Sequence, residues 1–194
     1  MTAPDLGPAA RRIVALLDGV PDSALDAGTP CAEASVAWLL DHLMGLSEGL
    51  RASAAKEPDQ GAPQPSGANL DPKWRTLLPE RLDALVAAWR EPGATEGLTS
   101  AGGVEMPAAE IAVVTLDELV LHGWDLARST GQAYEPEPVE VATILGFIEA
   151  FASPEGTPGL FGPALLPVSG DAPAFERALG LSGRDPGWRP DVPA

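Results

Sequence analysis

Residues 107–129 read PAAEIAVVTLDELVLHGWDLARS. After Pro107 there is no helix breaker except Gly123, and Gly131 follows the last turn, so the stretch predicts one long helix with an N-terminal proline. Its apolar residues (Ile111, Val113, Val114, Leu116, Leu119, Val120, Leu121 and Leu126) fall on nearly every side, the pattern of a helix enclosed by others. One stripe breaks that pattern. Ile111, Val114, Glu118, His122 and Asp125 follow one another at spacings of three or four, so three ionisable groups replace apolar ones along one line.

Working outward, the other segments also read as helices. Ala9, Ile13, Leu16, Leu17 and Val20 recur at helical spacing over Leu6 to Val20, and Pro21-Asp22 stops the run. Ser35 is a candidate N-cap for a second helix carrying Val36, Leu39, Leu40, Leu43, Leu46 and Leu50. Residues 57–71, rich in Pro, Gly, Gln and Ser, read as a mobile surface loop. Pro72 can open a third helix through Trp74, Leu82 and Trp89, with Pro79 kinking or restarting it unless it lies in a first turn, and Pro92-Gly93 ends it. Gly93 to Met106 is turn-rich with weak alternation and has room for one short β-hairpin. A fifth helix spans Pro138 to Phe151 and a short one Ala172 to Leu179, after an irregular Gly/Pro-rich run to Val168. SGRDPGWRP, from Ser182, reads as a docked terminal loop. The expectation is an all-α single domain over 1–194, with a bundle core of about 5–152 and a C-terminal extension of about 153–194 packed on it.

Composition narrows the function classes. With 28 acidic and 12 basic residues the net charge is −16, which repels a phosphate backbone, so nucleic acid is excluded as a partner. No basic segment precedes an apolar run at the start, and no run of roughly 18 apolar residues occurs, so neither a leader nor a membrane span is expected. A cytoplasmic location follows from this reading. Cys31 is the single cysteine; it excludes an internal disulfide and a Cys-rich zinc site, and it reads as an inert structural thiol. No Gly-x-Ser-x-Gly elbow supports a serine hydrolase.

The chain has two histidines, both inside strong helices on faces otherwise used for packing. Glu118 and His122, at i and i+4, project from one face and can reach a common ion. His42 shares the buried stripe of the second helix, three residues after Leu39, and is the other imidazole available. Antiparallel helices about 8–10 Å apart can bring it within metal-bonding range. Two imidazoles and a carboxylate suit Zn²⁺, or alternatively Fe²⁺, Ni²⁺ or Mn²⁺, with positions left open for water or substrate. The bland reading stands beside this one: a buried His can donate to a carbonyl, and Glu118 can pair with Arg128. Asp125 can orient an imidazole or a bound water from behind the ligands, or simply be solvated. Trp38 and Trp124 flank the candidate ligands and either wall a pocket or pack the core. Arg75, Arg81 and Arg128 are candidates to hold an anionic substrate, or surface ion-pair partners.

Three stretches, TPCAEASVAWLLDHLMGLSEGL (29–50), DELVLHGWDLARSTGQ (117–132) and FGPALLPVSGDAPAFERALGLSGRDPGW (161–188), resemble the mycothiol-dependent maleylpyruvate isomerase-like, DinB-related family of metalloenzymes and its actinobacterial members. The resemblance implies a DinB-like four-helix bundle, with a metal held by one His of the second helix and a Glu-x-x-x-His pair of a later one. These positions fall on His42, Glu118 and His122. It also implies a thiol-dependent transferase or isomerase in which the metal, Zn²⁺ first, binds the thiol of mycothiol as thiolate, and a chain that pairs as a homodimer. No residue pattern here fixes the substrate pocket of maleylpyruvate isomerase. The alternative is a non-catalytic binding or scaffold bundle whose polar cluster fixes helix register.

Overall fold

In the computed structural model, residues 3–58, 61, 64–157, 160–165 and 171–190 are described. The first helix, α1 (Gly7–Leu17), starts with Pro8 in its first turn and ends earlier than the periodicity suggested, because Asp18 to Val20 close it with tighter turn bonds. Val20 nonetheless remains in the core. In α2 (Val36–Ala54) the expected cap is present: Ser35 Oγ accepts from Trp38 N at 3.2 Å. The third helix, α3 (Trp74–Arg90), begins two residues after Pro72 and runs through Pro79 without a restart. The carbonyl that loses its partner there belongs to Arg75, an exposed residue, which is why the interruption is tolerated.

The predicted hairpin is found as β1 (Leu98–Ala101) paired antiparallel with β2 (Val104–Pro107), in register Ala101 opposite Val104. Gly102 and Gly103 have φ of +59° and +82°, the two positive values a type I′ turn demands. Thr99 Oγ1 donates to Ser53 O, and Ser53 Oγ donates to Ser100 O, which fastens the hairpin to the end of α2. The chain then enters α4 (Ala108–Ser129), followed by α5 (Pro138–Phe151) with a capping box of Glu137 and Glu140, and α6 (Ala174–Leu181), two residues later than expected.

Helices α1 and α2 each pack against both α3 and α4, which closes a four-helix ring, while α5 lies on α4 and α6 on α5. Helix α4 therefore has neighbours on most of its circumference, as its all-round apolar pattern required. Leu39, Leu40, Leu43, Leu116, Leu119 and Leu126 are fully buried in one continuous core, each contributing about 1.5–3 kcal/mol of transfer free energy. Phe161, Ala178 and Leu179 join the same core from the C-terminal segment. The expected loop over 57–71 is partly a 3₁₀ turn (Gly67–Asn69) held against α2, with Ser66 N donating to Asp41 Oδ2; positions 59, 60, 62 and 63 lie outside the described residues. So does the end of the irregular run, 166–170. No helix among the described residues is long and apolar enough to cross a membrane.

Candidate metal centre

The contact between α2 and α4 brings together the three side chains singled out by spacing. Glu118 and His122, one turn apart on α4, meet with His122 Nε2 3.0 Å from Glu118 Oε2. From α2, His42 Nε2 lies 3.6 Å from the same oxygen. The two imidazoles stand edge to face, ring centres 4.9 Å apart, and Trp38, one turn before His42 on α2, stacks on the His42 ring at 5.1 Å. One donor atom from each of His42, Glu118 and His122 lies within 4.8 Å of the others. Ligands bound tetrahedrally to one ion at about 2.0–2.2 Å are about 3.4 Å apart, so this donor set fits a divalent cation with small adjustments.

Behind the donors a chain of buried charge fixes His122. Its Nδ1 is 2.9 Å from Asp125 Oδ2. Asp125 in turn accepts from Arg184 through both oxygens, Nε to Oδ1 at 3.0 Å and Nη2 to Oδ2 at 2.9 Å. Arg184 stands in the loop after α6, where its remaining Nη1 donates to Ser182 O. The role considered for Asp125 thus acquires a geometry: it accepts the Nδ1 proton and leaves Nε2 directed at Glu118. A second grouping of possible donors, Cys31 with His122 and Asp125, shares His122, but Asp125 is already committed to Arg184 and to Nδ1.

The electrostatics follow from these contacts. Burial opposes charge on His122, yet the hydrogen bonds to Asp125 and Glu118 outweigh it and raise its pKa to about 9. For Glu118 burial is likewise overcome, by the two imidazoles, and its carboxyl is held well below the usual range. Burial would raise Asp125 too, but Arg184 first and then His122 keep it low. Asp117 shows the opposite balance: burial, then the neighbouring charge of Glu118, push its carboxyl well above the ordinary value. Burial also pushes the Cys31 thiol up to about 11, which agrees with the reading of an unreactive cysteine.

In front of the donors lies a cavity of about 350 Å³, walled by Trp38, His42, Glu118 and His122 on the bundle side and by Cys31, Gly162, Gly183 and Arg184 opposite. Of the other pocket candidates none lines it. Trp124 is buried in the core, on the side of α4 where Arg128 rests over its ring. Arg75 donates to Val20 O and pairs with Asp22, Arg81 donates to Met44 O, and Arg128 to Trp188 O. Each ties its helix to a carbonyl elsewhere in the fold, away from the cavity. Two wall residues escaped the sequence reading: Arg184, whose turn-rich surroundings give no hint of direction, and Asp117, whose place on a helix enclosed by apolar neighbours was an available signal.

Fold and cluster together define a helical bundle that gathers two imidazoles and a carboxylate beside a cavity between its second and fourth helices. A family model described as the mycothiol maleylpyruvate isomerase N-terminal domain matches residues 6–127, and the chain belongs to that family. The matched span includes His42, Glu118, His122 and Asp125 and stops short of Arg184. Uncharacterized proteins from two strains of Mycobacterium tuberculosis are 27% identical to the chain over 154 residues, 73% of this chain and 74% of theirs. Crystal structures of the mycothiol-dependent maleylpyruvate isomerase and of a histidine-to-alanine mutant of it superpose with TM-scores of 0.58 at 18% and 17% identity, a likeness of fold. The superposition covers 74% of this chain and 66% of those chains, so this chain spans about two thirds of the length of the solved proteins it matches.

Proposed function

We propose that the protein is a divalent-metal-dependent enzyme acting with a low-molecular-weight thiol, of the mycothiol-dependent transferase or isomerase type. His42, Glu118 and His122 would hold the metal, Zn²⁺ suiting the donors best and Ni²⁺, Fe²⁺ or Mn²⁺ remaining compatible. The observation that carries this reading is the convergence of three donor atoms from two helices within 4.8 Å, facing a cavity rather than protein. Family membership supports mycothiol as the thiol.

A divalent cation with open positions lowers the pKa of a bound thiol and keeps it as thiolate at neutral pH. The chain's own residues prepare for that. Asp125 accepts the hydrogen bond of the His122 Nδ1–H, so that loss of the other ring proton would leave the Nε2 lone pair for the metal. Arg184 anchors Asp125, and Trp38 restrains the His42 ring by stacking. A cluster serving only to fix helix register would need the His122–Glu118–His42 contacts alone and would have no use for the cavity in front of them.

Metal analysis tests the reading. Protein loaded with Zn²⁺ or Ni²⁺ and then desalted should retain about one ion per chain, and His42→Ala should retain much less. A parent protein that keeps none, or a His42→Ala protein that keeps as much as the parent, defeats it.

A further inference from the structure

A larger cavity, sharing no lining residue with the first, lies where α5 and the chain leading into α1 meet the N-terminal half of α4. It measures about 830 Å³, within the range of about 300–1,000 Å³ common to small-molecule sites. Val113 and Leu116 of α4, Ala142, Gly146 and Phe147 of α5, and Pro4 give it apolar walls. Along α5 the lining runs from Glu137 to Phe151, about 20 Å at 1.5 Å per residue, so the cavity is a long cleft.

Helix α5 is apolar on more than the side it buries. Val141, Ile144, Leu145 and Ile148 are buried, yet Val139 is 67% and Phe151 43% exposed, with Ala142, Gly146 and Ala150 exposed between them. Its charged residues past the first position, Glu140 and Glu149, are joined to Arg12 and Arg177. A helix with apolar residues on both faces is normally enclosed, and this one is open along the cleft.

The charge of the lining is one-sided. Asp5, Glu110, Glu137 and Glu140 line the cleft and no Lys or Arg does, although all twelve basic residues lie among the described ones. Arg90 offsets Asp5 at 2.9 Å, and Arg12 offsets Glu140. Glu110 and Glu137 are exposed and have no such cation; Glu137 only accepts the backbone N–H of Glu140 in the capping box. Carboxylates beside low-dielectric walls concentrate a negative potential in the cleft. A second copy of the chain docked on this face would set the same carboxylates against each other, on molecules of net charge −16.

We infer that the cleft is a second ligand site and that it takes a small amphiphilic cation, its extended apolar chain lying between α4 and α5 and its ammonium group meeting Glu110 or Glu137. This goes beyond the metal centre and does not depend on it.

Decylammonium and decanoate, of equal chain length and opposite charge, are suitable probes, with methylammonium as the cation that lacks a tail. Each is titrated calorimetrically at pH 7 and low salt, below micelle formation, into the parent protein, Gly146→Leu, and a double variant carrying Glu110→Gln and Glu137→Gln. A Cβ at position 146 meets nothing within 4 Å, so leucine has room to fill the cleft it lines, and a helix favours it over glycine. The charge of Gly146→Leu equals the parent's, which separates the cleft from general attraction of cations to an acidic chain. The parent should bind one decylammonium, at least about tenfold tighter than decanoate or methylammonium. Gly146→Leu should weaken that binding about tenfold or more, and the double variant should shrink the cation-to-anion ratio about fivefold or more. Should Gly146→Leu fail to fold, Ala142→Leu on the same exposed wall serves as the blocking variant. Equal binding of cation and anion, an affinity untouched by blocking the cleft, or a ratio untouched by the double variant overturns the inference. So does a parent dimer in sedimentation that Gly146→Leu dissociates, which would give the cleft to a second copy.

Discussion

Metal uptake should displace a proton from His122, and the size of that competition can be worked from the site. With its pKa raised to about 9, His122 is about 99% protonated at pH 7 in the metal-free protein. A metal requires the neutral ring, so at pH 7 binding must supply about 2.7 kcal/mol to remove the proton, at 1.36 kcal/mol per unit. Glu118 adds no proton, because its carboxyl is already ionised. The apparent Zn²⁺ affinity should therefore rise about tenfold per pH unit between pH 6.5 and 8.5 and flatten above about 9. Calorimetry at pH 7 in buffers of different ionisation enthalpy should count at least about one proton released per ion. Competition with a chelator, corrected for the chelator's own protonation, gives the slope. An ion that binds at pH 7 without proton release, or with an affinity flat over this range, would show that His122 is not a ligand or that Asp125 and Glu118 do not hold it charged.

The same shift has a consequence for the metal-free fold. A pKa raised from 6.5 to about 9 stabilises the folded state fully below about pH 6.5 and loses that contribution as pH rises through 9. Urea midpoints should accordingly fall between pH 7 and 9.5 by the equivalent of about 2–3 kcal/mol in the metal-free protein and much less in the Zn²⁺-loaded one; equal falls in both would contradict the assignment. Arg184→Met removes the larger of the two cationic partners that hold the buried Asp125 ionised, which should cost about 3–5 kcal/mol and roughly 6–20 °C in Tm. A calorimetric loss below about 3 °C would mean the pair is not buried as described. Gly123→Ala places a Cβ 2.6 Å from Tyr134 Oη and 2.9 Å from its ring, an overpacking worth about 1–3 kcal/mol in chemical denaturation, and an unchanged midpoint would refute that contact.

What could be read from sequence divides along the distance over which each feature is determined. The pairing of Glu118 with His122 is a property of one helix, so the i, i+4 spacing sufficed to see it. His42 was visible as a polar break in a leucine stripe, since a buried face leaves few uses for an imidazole. The arginines behaved differently. Arg75, Arg81 and Arg128 carry the same local pattern whether they meet a substrate or a carbonyl, and the structure gives them carbonyls at 2.7–2.9 Å. Pro79 reads in sequence as a kink or a restart because proline removes one helical hydrogen bond. The carbonyl left over belongs to the exposed Arg75 and loses little by going without.

Arg184 is the residue whose absence from the sequence reading matters most, and the reason is topological. It meets Asp125 across 59 positions, from a segment whose glycines and prolines announce only turns. That segment lies outside the matched 6–127 span, while the carboxylate it holds lies inside it. The consequence reaches the ligands themselves. Without Arg184, His122 alone would oppose the burial that favours a neutral Asp125, and a neutral Asp125 no longer supports the charge of His122. The two imidazoles and the carboxylate lie within the matched span, but the electrostatic state of His122 depends on the segment after α6 that holds Asp125. A relative that shares the two His and the Glu while lacking an arginine there would have a different proton balance at the cluster, so matching side chains alone are insufficient ground for assigning it the same chemistry.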